Sequence, residues 1–78
     1  MITIEEFTNA VKEYFRTGWR NLSDEQVDEY IYGEEAQDLI INRYNEALEK
    51  YNSGRITRLQ FLVGVASSAS NCLIYIYE

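Results

Sequence analysis

The stretch Ile56 to Tyr77, ITRLQFLVGVASSASNCLIYIY, decides the fold, because from Leu59 to Tyr77 it holds no charged residue while 26% of the chain is charged. Such a run belongs inside. Thr57 and Gln60 have the spacing of a capping box, in which the hydroxyl and the amide side chain each satisfy a free backbone N–H. Ile56 and Phe61 stand where a hydrophobic staple fixes the angle at which the chain enters, so a helix is expected to begin near Arg58. Leu59, Leu62, Ala66, Ala69, Leu73 and Ile76 form one apolar row at helical spacing; Phe61, Val65, Ser68 and Cys72 form a second on an adjacent face. The small residues Gly64, Ala66, Ser67, Ser68, Ala69 and Ser70 admit close backbone approach. The pattern predicts a central helix with partners on two sides. From Leu73 to Tyr77 aromatic and β-branched residues alternate, which suggests a short extended tail.

The uncharged run approaches the ~20 residues of a spanning helix, and Tyr75 and Tyr77 suit a membrane interface. Gln60, Ser67, Ser68, Ser70 and Asn71 argue against that use, since polar groups cost most near mid-membrane. The upstream helices would also lose the element they are patterned to cover.

Working outward to the N-terminus, Thr3 and Glu6 make another capping box, and Ile4, Phe7, Val11, Tyr14 and Phe15 repeat at helical spacing. This helix is expected to run to about Arg16 and to stop at Gly18 in a left-handed C′ conformation. Trp19 follows as a plug over the helix end or, if exposed, as an interface anchor. Ser23 with Gln26 makes a third capping box and Leu22 with Val27 a second staple, so a short helix is expected from Asp24 to about Tyr32. After Gly33 a longer amphipathic helix carries Ala36, Leu39, Ile40, Tyr44, Ala47, Leu48 and Tyr51 on one side. Glu46 and Lys50 are spaced for a weak ion pair. Asn52, Ser53 and Gly54 make the turn into the central stretch.

At 78 residues the length is that of a single helical domain covering 1–78, and a chain this small buries only ~60% of its unfolded surface. Proline is absent and glycine is limited to four, which suits helices joined by short turns. The expected fold is all-α, a compact bundle of about four helices with one short. Hydrophobic residues at 46% argue against disorder. The lone cysteine, Cys72, reads as a buried thiol in a reducing, cytoplasmic setting.

The net charge of −6 disfavours direct binding to nucleic acid or an anionic membrane, which requires cations to displace counterions from phosphates. Acidity concentrates in one place. Asp24, Glu25, Asp28, Glu29, Glu34, Glu35 and Asp38 fall within fifteen residues that hold no Lys or Arg. Several stand four apart, so like charges face each other along a helix. The segment serves either as a solvated face or as a docking surface for a basic partner, with Tyr30 and Tyr32 adding apolar contact. In size and charge the chain resembles small acidic inhibitors encoded by phages and mobile elements, some anti-CRISPR proteins among them. That resemblance implies carboxylates that imitate phosphates and occupy a nucleic-acid-binding surface.

Other chemistries find less support. With no histidine there is no imidazole base or conventional triad, and Cys72 has no histidine to activate it. No glycine-rich phosphate loop is present. The acids lack the EF-hand pattern for calcium, and one Cys without His does not make a zinc site. No metal, cofactor or enzymatic activity is expected. The leading expectation is a non-enzymatic acidic module that binds a basic, nucleic-acid-binding protein. The competing one is a homo-oligomeric assembly subunit, such as a homodimer, that uses the small-residue helix.

Overall fold

The structure, a computed structural model, describes residues 1–18 and 21–78. It is all-α. Helix α1 spans Ile4–Gly18, α2 Asp24–Ile31 and α3 Glu34–Asn52; a π-helical turn, Gln60–Val65, then leads into α4, Ala66–Tyr77. No strand occurs among the described residues. All three capping boxes form. Backbone N–H groups of Glu6, Gln26 and Gln60 reach the hydroxyls of Thr3, Ser23 and Thr57 at 3.1, 3.2 and 3.1 Å, and each partner side chain bonds back. Each such cap is worth about 1 kcal/mol, so the three starts legible in sequence are fixed locally.

The helix ends are less uniform. Gly18 is the last residue of α1 and takes no left-handed conformation, contrary to expectation. Gly54 does, at φ 79°, and the Arg55 and Gly54 N–H groups bond to the Lys50 and Tyr51 carbonyls at 2.8 and 3.1 Å. That is a Schellman ending for α3.

The C-terminal helix is central, packed chiefly on α1 with α3 on its other flank. Its buried face differs from the two rows read off the sequence. Phe61 and Ala66, five residues apart, are both fully buried, while Val65 is only half-buried and Ser68 is exposed. The cause is the π turn, whose wider i→i+5 closure inserts one residue into the helical phase. Phe61 thereby joins the row Ala66, Ala69, Ser70 and Leu73, and Leu59 turns outward. The extended tail at Leu73 to Tyr77 does not form, since α4 continues to Tyr77. No described helix is long and apolar enough to cross a membrane.

Two aromatic groups close the ends of the core. Around Phe61 stand Phe7, Tyr44 and Tyr51, with ring centroids 5.5, 5.8 and 5.8 Å away. The Tyr44 hydroxyl donates to the Ile2 carbonyl at 2.6 Å, so Ile2 is buried in place of Ile4, which is partly exposed. At the other end Tyr77 meets Tyr30 at 4.8 Å and Phe15 at 6.4 Å, and its hydroxyl donates to the Tyr30 carbonyl at 3.0 Å. Aliphatic Val11, Ile40 and Leu73, with Ala66 and Ala69, are buried in the same core. Arg58 links the start of the fourth helix to Glu6 at 2.5 Å. The Arg58 hydrogen bond, helped by the Thr3 N–H, holds the Glu6 carboxyl below its ordinary range.

Candidate functional site

The seven carboxylates between Asp24 and Asp38 divide into two sets. Asp24 and Asp28 are one turn apart on α2 and face two cations one turn apart on α1. Asp24 binds Arg16 at 2.7 Å, and Asp28 binds Lys12 at 2.7 Å. Arg16 also pairs with Glu13. The Asp28 hydrogen bond keeps the Lys12 ammonium above its ordinary pKa, and Lys12 lies 5.2 Å from the centroid of the Tyr32 ring. The ion-paired side chains line a groove of about 390 Å³ between α1 and α2, with Val27 among its residues. Three carboxylates, Glu13, Asp24 and Asp28, meet two cations, Lys12 and Arg16, there, so its charge is largely compensated. All five paired side chains keep solvent contact, so these pairs add little to stability.

The other set is Glu25, Glu29, Glu34, Glu35 and Asp38. All are exposed, and among the described residues none has an ion-pair partner. Glu25 and Glu29 share one stripe of α2, and Glu34 and Glu35 open α3. Gly33 caps α3 without a side-chain bond, so the two acids meet the positive end of an uncapped helix, where negative charge is favoured by 0.3–1 kcal/mol.

The turn between α2 and α3 is held from below. The Gln37 amide donates to the Ile31 carbonyl at 2.9 Å, and Tyr77 bonds to Tyr30 as described. Burial, with Glu35 and Tyr30 nearby, raises the Tyr77 phenol above its ordinary pKa. Tyr30, expected at the partner surface, is half-buried and packs against the core cluster. Tyr32 is 54% exposed and remains available. Trp19, read as a plug over the helix end or, if exposed, an interface anchor, lies outside the described residues.

The sequence reading missed that Asp24 and Asp28 have counter-charges on α1. A signal existed: Lys12 and Arg16 stand four apart, as do Asp24 and Asp28, and two antiparallel helices with a short connection bring such pairs together. Among the described residues no group of three or more His, Cys, Asp or Glu is placed to hold a metal ion. Cys72 is a half-buried free thiol, 3.5 Å from the Arg43 guanidinium and on another side of the bundle.

Comparison of the chain with protein-family models, with curated proteins and with solved structures returns no match.

Proposed function

We propose that this chain is a non-enzymatic, acidic protein-binding module that docks on a basic surface through the α2–α3 end. The observation that carries this reading is the set of five exposed carboxylates without an ion-pair partner among the described residues, arranged around a turn anchored to the core. Rigid, unpaired charge of one sign steers an oppositely charged partner and sets its register more than it sets raw affinity. The natural partner is a nucleic-acid-binding protein, whose surface already carries the Lys and Arg needed for phosphates. An inhibitor that occupies such a surface is the form this function takes. The free, half-buried Cys72 accords with a reducing compartment.

The structure-guided test separates the two sets of acids. Charge reversal at Glu25, Glu29, Glu35 and Asp38 should weaken binding to an isolated basic partner by about tenfold or more, with the helical circular dichroism unchanged. Binding should also weaken as salt rises. Equal affinity of the reversed variant and the wild type would sink the proposal.

A further inference from the structure

We propose a second interaction surface, independent of the acidic one: a two-fold contact between copies of this chain through the outer face of the fourth helix. Leu59 is 72% exposed, Val63 42% and Tyr75 82%. With Ser67 and Asn71 between them, these residues recur every four positions and form a ridge along the solvent side of the helix. Beside the ridge runs a groove of about 380 Å³ between α3 and the π turn. Its floor includes Ala47, Ile56, Gly64, Val65 and Ser68. Ridge and groove lie on one surface, so a copy related by a two-fold axis presents each to the other. This is the self-complementarity an isologous dimer requires.

Charge selects a second copy as the occupant. A molecule of net charge −6 repels its own kind everywhere except where it is neutral or alternates in sign. The helix has no charge from Leu59 to Tyr77. At the groove rim α3 presents Arg43, Glu46 and Lys50 in alternating sign. Glu46 and Lys50, spaced to pair with each other, make no ion pair among the described residues, so both can meet the copy across the axis.

Gly64 adds an independent point. A Cβ built there meets nothing within 4 Å, and its φ is not positive. The monomer therefore has no steric use for glycine at an exposed helical position, where it is a poor helix former. Close approach from outside supplies the use. The π turn that exposes this glycine is a feature frequent at functional sites.

The experiment is light scattering behind size exclusion, from about 10 μM to 1 mM protein, at about 0.05 and 0.5 M NaCl. The wild type should move from 9.2 kDa towards twice that mass, more readily at high salt because screening relieves the repulsion between acidic molecules. Gly64→Leu fills the groove and Leu59→Glu charges the ridge; neither position packs inside the monomer. Each should raise the dimer Kd about tenfold or more while leaving helical content intact. A wild type that stays monomeric at 1 mM and high salt overturns the proposal. So does a dimer that survives both substitutions, or one that dissolves as salt rises. That last outcome would place self-association on the acidic end and leave the basic-partner reading to its own test.

Discussion

The two aromatic groups that close the core are built from the same residue types, and each bonds a backbone carbonyl through a tyrosine hydroxyl, but their central rings sit in different surroundings. Phe61 is fully buried among Phe7, Tyr44 and Tyr51, so its position rests on apolar burial and ring packing. Tyr77 is half-buried, reaches a backbone carbonyl through its hydroxyl, and has Glu35 as a charged neighbour. The Phe61 ring is an anchor shut off from solvent. The Tyr77 ring is a latch at the water boundary, directly under the turn that carries the unpaired acids. A bundle this small thus separates the task of holding the fold from the task of orienting its charged end.

Truncating the anchor should do the most damage. Phe61→Ala removes a ring that three others contact, at a site where the π turn fixes the helical phase. The expected loss is about 3–5 kcal/mol, read from urea denaturation, which is a large part of the whole stability of a domain this size. A loss below about 1 kcal/mol would mean that the end collapses to fill the space, and the contrast between the two groups would fail.

Breaking the latch should be milder and should depend on pH. Tyr77→Phe keeps the ring but loses the bond to the Tyr30 carbonyl, a change of about 0.5–1.5 kcal/mol near neutrality. The folded Tyr77 phenol has a pKa above its unfolded value, because burial, with Glu35 and Tyr30 nearby, disfavours the phenolate. A proton held more tightly in the folded state gives stability that is complete below the unfolded pKa of ~10 and is lost as pH rises through the folded value. The stability difference between wild type and Tyr77→Phe should therefore shrink above about pH 10, measured by denaturation at stepped pH. A constant difference from pH 8 to 11.5 would show that the hydroxyl does not titrate against this environment. Hydrogen exchange at the α2–α3 turn should speed up in the same variant, and protection equal to wild type would deny the latch its effect on the acidic end.

The contrast between anchor and latch also explains which features were legible in the sequence. Helix starts were, because a capping box is a local exchange of two hydrogen bonds between residues three apart, and Thr3, Ser23 and Thr57 announce theirs. The central helix was, because nineteen consecutive uncharged residues have few alternatives in a small bundle. The face of that helix was not. Its apolar and small residues suit several phases equally, and the single residue inserted by the π turn is decided by packing Phe61 against α1 and α3. The same limit applied to the acids. Their sign and density could be counted, but the division between Asp24 and Asp28 on one side and Glu25, Glu29, Glu34, Glu35 and Asp38 on the other depends on where Lys12 and Arg16 arrive in space. The contact of Tyr30 with Tyr77 was not legible for a similar reason, since a ring latch between residues far apart in the chain has no local signature.

The smallest effect should come from the core itself, at a residue in neither aromatic group. Ser70 is buried on α4, and its hydroxyl oxygen has no hydrogen-bond partner among the described residues. A buried hydroxyl that gives up water without a replacement is a cost to the folded state, and alanine is also the better helix former. Ser70→Ala should therefore stabilise the protein by roughly 0.5–1 kcal/mol, seen as a rise in Tm of about 4 °C for a chain of this length. The methyl group that remains fills nearly the same space, so repacking is not needed. If Ser70→Ala instead lowers Tm, the hydroxyl makes a bond in solution. The middle of the core would then be held by a polar contact as the latch is, and the separation between a dry interior and a polar rim would have to be given up.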